Sequence, residues 1–211
     1  MAILESDSCR QCLAADAENG AVEGNRYSHE RFFEFLMEEL KLTEAVITDD
    51  LDILQMLREI GPGENGFHNN AFNLSEMEFS QWLQSQMDMA KGINLNPEYV
   101  PMTTYWLRRN GYPVGISKLR HYLNEALLKI GGHIGFCIRP TERGKGYANE
   151  ILTRTLKLAL QMGIKKVLLT CAIENTASWK TIENCGGVLE KTENGERYYW
   201  IELHLKSPMT S

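Results

Sequence analysis

Apolar and polar positions divide the chain into a helical first half and a strand-rich second half. Phe32, Phe33, Leu36, Met37 and Leu40 recur at helical spacing, with Glu30, Arg31, Glu34, Glu38 and Glu39 on the other face, which predicts an amphipathic helix. Positions 45–48 read as a short first strand, and a helix is expected over 50–59, stopped by Gly61-Pro62-Gly63. The stretch 61–73 reads as a loop. Ser75 and Glu78 then form a capping box, each side chain satisfying a free main-chain N–H of a first helical turn. Phe79, Trp82, Leu83, Met87 and Ala90 continue that helix to Gly92.

The second half alternates differently. Strands are expected over 103–107 and 112–119 around an Asn110-Gly111 turn, and over 133–138. A helix over 149–162 carries Ile151, Leu152, Leu156, Ala159 and Leu160 broadly on one side. A buried strand over 166–171, a short helix over 177–184, and strands over 188–191 and 197–205 around Asn194-Gly195 complete the pattern. Helices first, then β-β-β-α-β-α-β-β, predicts a mixed α/β sheet flanked by helices in one domain. The expected organisation is an N-terminal extension over 1–40 and a single domain over 41–207.

Composition narrows the function. The 43% of hydrophobic residues suffices for a well-cored domain. No apolar run approaches the roughly 18–20 residues a bilayer requires, and the N-terminus lacks a basic-then-apolar signal, so the expectation is a cytoplasmic protein without membrane contact. A net charge of −6 gives no general attraction to nucleic acid. The odd count of five cysteines argues against a disulfide framework. Cys9 and Cys12 form one CxxC, but no second ligand pair follows, so no metal is expected.

The chemistry-bearing stretch is Ile138 to Ala148, IRPTERGKGYA, where a strand meets a two-glycine loop and a helix begins. Glycines let main chain approach a ligand, the helix start offers unpaired N–H groups, and Arg143 and Lys145 add positive charge: elements of a pyrophosphate site. Neither a Walker loop nor a GxGxxG fingerprint is present. The pattern is R-x-x-G-x-A, at Arg143, Gly146 and Ala148.

This segment resembles the acyl-CoA-binding motif of the GNAT acetyltransferases. Glu174-Asn175-Thr176-Ala177-Ser178, opening a helix that runs to Gly186-Gly187, is similar to the family's N-x-x-[AS] region, with Gly187 where the family often has Phe. The strings IGPGENGF, LRHYLNE, GGHIGFCIRPTERGKGYA, VLLTC and IENCGGVLE also resemble a bacterial subgroup of predicted acetyltransferases. The resemblance spans about 45 to 205 and implies the GNAT fold, with acetyl-CoA as co-substrate and an amine as acceptor. Pantetheine would lie between strands 133–138 and 166–171, held by the main chain of Cys137, Ile138 and Arg139. The phosphates would be held by Arg143, Gly144, Lys145, Gly146, Tyr147 and Ala148, and the arm by Asn175 and Ser178. Because GNAT enzymes are often dimers, a homodimer is also an expectation.

One departure stands out. Many members carry a tyrosine acid seven residues after the Asn, where this chain has Ile182, so either Tyr198 or Tyr199 replaces it or the thiolate leaves with help from water. For the base, His133 and Glu125 are candidates. Glu64 and Asn65 are candidates to bind a cationic acceptor, and Arg120 and His121 to bind a carboxylate on it. Two readings remain: an N-acetyltransferase attacking the thioester directly, or an acyl-CoA-sensing module without turnover.

Overall fold

The computed structural model describes residues 39–204. The helix expected around Phe32 to Leu36, and Cys9 and Cys12, lie outside them. Within them, β1 (Leu40–Glu44) is followed by α1 (Leu51–Ile60) and α2 (Glu76–Lys91), the hairpin β2 (Met102–Arg109) and β3 (Tyr112–Arg120), and the short α3 (Glu125–Lys129). Then come β4 (Ile134–Ile138), α4 (Tyr147–Gln161), β5 (Lys166–Ala172), α5 (Thr176–Asn184), β6 (Val188–Glu193) and β7 (Glu196–Glu202). The strands form two antiparallel sheets, β1-β2-β3-β4 and β5-β7-β6. This is an α/β fold with helices packed on antiparallel sheets.

Alternation along β2 and β3 places helices on both faces of the first sheet. Trp106, Ile116 and Cys137 pack with Ile53, Leu54, Met56 and Leu57 of α1 and Phe79, Trp82 and Leu83 of α2. On the opposite face, Leu119 and Ile134 pack with Leu152, Leu156 and Ala159 of α4, and with Val167 and Leu169 of β5. Trp106, Phe79, Leu83, Leu57 and Ile151 are among the largest fully buried side chains, each stabilising the fold by about 1.5–3 kcal/mol. The Thr155 hydroxyl donates to Ser117 Oγ at 2.9 Å inside this layer, so α4 is registered on β3 by a satisfied polar contact.

Local chemistry explains the element ends. Ser75 and Glu78 form the expected capping box, and Gly92 ends α2 in the left-handed conformation. Asp50 caps α1 by accepting from the Ile53 N–H.

One expectation shifts. The first strand is Leu40–Glu44 rather than 45–48, because Leu40 and Leu42 pack inward while the strand pairs with β2. Leu40 is therefore a strand residue and not part of the helix expected from its spacing. Ala45 donates its N–H to Thr104 O, and residues 46–49 instead form a turn in which the Asp49 N–H donates to Val46 O and the Val46 N–H to the Asp49 side chain. The loop after β3 contains α3, capped by Asn124 but with no buried side chain, and so without an apolar period to announce it.

Candidate active site

The two sheets meet at one end of β4 and β5 and part beyond it. At the junction the His133 N–H donates to Leu168 O at 2.7 Å, and the Leu168 N–H donates to His133 Nδ1 at 2.9 Å. An imidazole thus accepts from β5 as a strand carbonyl would. Gly132 makes the approach possible: at φ +58°, an added Cβ would lie 2.3 Å from Leu168 O.

His133 is buried, and burial together with the Arg120 charge holds its pKa down at about 4. Its hydrogen bond requires a neutral ring with the proton on Nε2. This neutral ring contributes stability above the unfolded value of 6.5, which is lost as pH falls toward 4; the full span is about 3 kcal/mol. His133→Ala is expected to lower Tm at pH 7, since the Leu168 N–H loses its acceptor, and to flatten the fall in Tm between pH 7 and pH 5. Thermal melts at both pH values check this; an unchanged slope would remove His133 as its source.

Beyond the junction, two cavities occupy the gap. The first, of about 510 Å³, is lined by Cys137 and Ile138 of β4, by Arg143, Gly144, Gly146, Tyr147 and Ala148, and by Asn175 and Ser178 of α5. The Arg139 N–H donates to Val114 O and the Arg120 N–H to His133 O, so the odd positions of β4 pair with β3. Ladder alternation leaves the main chain of Phe136 and Ile138 facing the gap. At the start of α4, Gly146 is the N-cap at φ +85° with no side-chain cap, and Gly144, Lys145 and Gly146 donate to no main-chain acceptor among the described residues. An added Cβ at Gly144 or Gly146 would meet only open space. Unpaired N–H groups at a helix start, bare of side chains and next to Arg143, fit a pyrophosphate. Beneath them the buried Glu142 carboxylate is met by Lys145 at 2.9 Å and Arg109 at 3.7 Å, which offsets its charge.

The second cavity, of about 360 Å³, lies against the first, with Asn65, Phe67, Phe136 and Ser178 lining both. Its walls include Lys118 and Arg120 of β3, Thr170 and Cys171 of β5, Ile182 of α5 and Glu196 of β7. Burial, reinforced by the Glu174 charge, pushes the Glu196 carboxyl up. Burial and the Arg120 charge press Lys118 down to about 8. From Ile130 and Glu196 a groove continues outward past Glu125, Lys129 and Tyr198.

Comparison with known proteins agrees with this geometry. The family model described as Acetyltransferase (GNAT) domain matches residues 56–188, well over half of the chain. The chain belongs to the GNAT acetyltransferase family. It is thereby an acyltransferase of the EC 2.3.1 type. No curated protein matches the sequence. Among solved structures, RimL, a ribosomal alpha-N-protein acetyltransferase in complex with coenzyme A, superposes with TM-score 0.58 at 16% identity, over 78% of this chain and 94% of its own. YncA from Salmonella typhimurium, solved with its cofactor acetyl-CoA, gives 0.55 at 12% identity over 82% and 99%. A GNAT-family acetyltransferase from Streptococcus pneumoniae gives 0.57 at 17% identity over 79% and 100%. No helix among the described residues is long and apolar enough to cross a membrane.

Within this GNAT domain the residues singled out from sequence distribute unevenly. Arg143, Gly144, Gly146, Tyr147, Ala148, Asn175 and Ser178 line the first cavity together with Cys137 and Ile138. Arg139 does not: its guanidinium pairs with both oxygens of Glu59, donates to Pro113 O and stacks over Tyr112. Lys145 turns its amine to Glu142 rather than into the cavity. Glu64 lies on the first cavity, in an ion pair with Arg143 at 2.6 Å, while Asn65 lines both. Arg120 lines the second cavity, but His121 turns to Thr103 at 2.8 Å. Glu125 lies on the outer groove, and the Tyr198 hydroxyl, on the same groove, donates to Lys129 O at 2.6 Å. Tyr199 is fully buried, its hydroxyl donating to Glu183. Ile182, where the family often carries its tyrosine acid, is buried and lines the second cavity. Lys118 and Glu196 were not foreseen; each stands alone in a strand pattern, and only the fold turns both toward one space.

Proposed function

We propose that the protein transfers the acetyl group of acetyl-CoA to a primary amine by direct attack. The observation that carries this reading is the pair of abutting cavities at the parted strands, one built for a pyrophosphate and one lined by charged side chains. Acetyl-CoA supplies the activated thioester. Main-chain N–H groups of 144–148 hold its phosphates, the gap-facing main chain of Phe136 and Ile138 pairs with its pantetheine, and the Asn175 amide reaches the arm. The Asn175 Oδ1 already accepts from the Ser178 N–H, leaving its NH2 for this contact. Glu196, on the acceptor cavity and with its pKa raised by burial and by Glu174, takes a proton from the incoming ammonium.

In this reading His133 holds the strand junction, and Glu125 and Tyr198 border the acceptor's entrance. No side chain is assigned as the acid: a thiol of pKa about 8.5 leaves as thiolate without one. Charged groups poised in the acceptor cavity favour turnover over acyl-CoA sensing.

Calorimetric titration with acetyl-CoA and with S-acetylpantetheine tests the assignment. Binding that requires the phosphate-bearing ligand, followed by amine-dependent thiol release, supports it; no binding to the folded protein sinks it.

Arg143 and Glu64 are both about half exposed, so their ion pair is worth less than about 1 kcal/mol. A pyrophosphate displaces Glu64 from Arg143 at little cost. Glu64→Gln is therefore expected to leave Tm nearly unchanged and to tighten acetyl-CoA binding a few-fold, as calorimetry reads directly. Weaker binding in that variant would mean that Glu64 itself supports the ligand.

A further inference from the structure

The acceptor cavity carries charges that do not meet. Lys118 and Arg120 are two positions apart on β3 and so share one face of the strand. Opposite Lys118 on β4 stands Gly135, which has no side chain to fill the space between them. The Lys118 ammonium donates to His68 O at 2.8 Å and lies 5.0 Å from the centre of the Phe67 ring. The Arg120 guanidinium donates to the carbonyls of Gly131 and Gly132. Among the described residues neither cation forms an ion pair with a carboxylate, although ten such pairs of other residues are formed.

Glu196, on the same cavity, is likewise without a cationic partner among the described residues. Two half-buried cations lacking an anion are costly, and they repel each other. Their placement makes sense if the missing anion arrives with the acceptor.

Resting on the proposed transfer reaction, we infer that the acceptor is a primary amine that also carries an anionic group, a carboxylate or a phosphate, held by Lys118 and Arg120 while its ammonium meets Glu196. The acceptor thereby bridges charges that the fold itself keeps apart. The ammonium gives one proton to Glu196. Its nitrogen pair forms the new C–N bond, the C–S bond breaks with its electrons leaving on sulfur, and the second N–H proton is released with formation of the amide. A neutral amine would leave the two cations unanswered, so the site selects against it. Lys118 and Arg120 act as specificity residues and take no part in the bond changes.

The test uses the full chain saturated with CoA, titrated calorimetrically with N-acetyl-β-alanine and N-acetylated aminoethyl phosphate, and with N-acetyl-β-alaninamide as the neutral counterpart. At least one anionic ligand is expected to bind 10-fold or more tightly than the amide. Lys118→Met is expected to erase this difference and Lys118→Arg to retain most of it, with CoA affinity unchanged in both. The two anionic ligands distinguish carboxylate from phosphate. Equal binding of the amide, no binding of either anionic ligand, or a preference that survives Lys118→Met would overturn the inference. Thiol release from acetyl-CoA with β-alanine, aminoethyl phosphate and ethanolamine is measured beside it. Release with ethanolamine as fast as with the anionic amines removes the anionic requirement but leaves acetyl transfer standing. Failure of CoA itself to bind defeats the transfer reading, and this inference with it.

Discussion

Replacing Gly146 by glutamate is expected to weaken acetyl-CoA binding by about 10⁴-fold while the protein stays folded. Two effects add. The residue caps α4 at φ +85°, a conformation that L residues other than glycine adopt at a cost of about 1–2 kcal/mol. The new carboxylate would then project into open space at the phosphate site, and a like charge about 4 Å away costs about 4 kcal/mol at an effective dielectric near 20. Gly146→Ala separates the two effects, since it keeps the strain and omits the charge. Its binding should lie between wild type and Gly146→Glu. Calorimetry with acetyl-CoA reads both variants, and Tm should fall by only a few degrees because no buried contact is lost. Wild-type affinity in Gly146→Glu would place the phosphates elsewhere.

The second large effect is on turnover. Glu196→Gln preserves shape and removes the proton acceptor, so kcat is expected to fall by about 10²-fold or more, with acetyl-CoA affinity unchanged. In the wild type the rate should rise with pH as the Glu196 carboxyl ionises, on a limb displaced upward from the ordinary carboxylate range by burial and by Glu174. That limb should disappear in the variant. A pH–rate profile that keeps both its limb and its height would assign the base to another group.

Much of this was legible along the chain because local rules decided it. The Ser75–Glu78 capping box, the Asn110-Gly111 turn and the α4 stripe each announce an element through neighbours a few positions apart. The loop that lines the first cavity was equally legible, since Arg143, Gly144, Gly146 and Ala148 fall within six consecutive positions. What escaped was set by tertiary position. Strand β1 reads as a helix end because Leu40 continues a helical spacing, and only its pairing with β2 decides the matter. Arg139 adjoins the loop in sequence, but its side chain turns to Glu59, far from it along the chain. His133 suggests a base by its residue type, whereas the fold has its Nδ1 accept from the Leu168 N–H at a strand junction. Lys118 and Glu196 belong to different sheets, and no spacing rule brings them to one cavity.

The parted edges of β4 and β5 have a consequence for the lifetime of the protein. Each presents main-chain groups toward a gap rather than toward a partner strand, so the two sheets read as one sheet interrupted between β4 and β5. If acetyl-CoA lies in that gap, it is a structural component as well as a reactant. At about 100 times its dissociation constant it would add about 2.7 kcal/mol to folding, a large share of what a domain possesses. Abundance of the enzyme would then follow the supply of its acyl donor: a cell short of acetyl-CoA would lose the catalyst as well as the reaction.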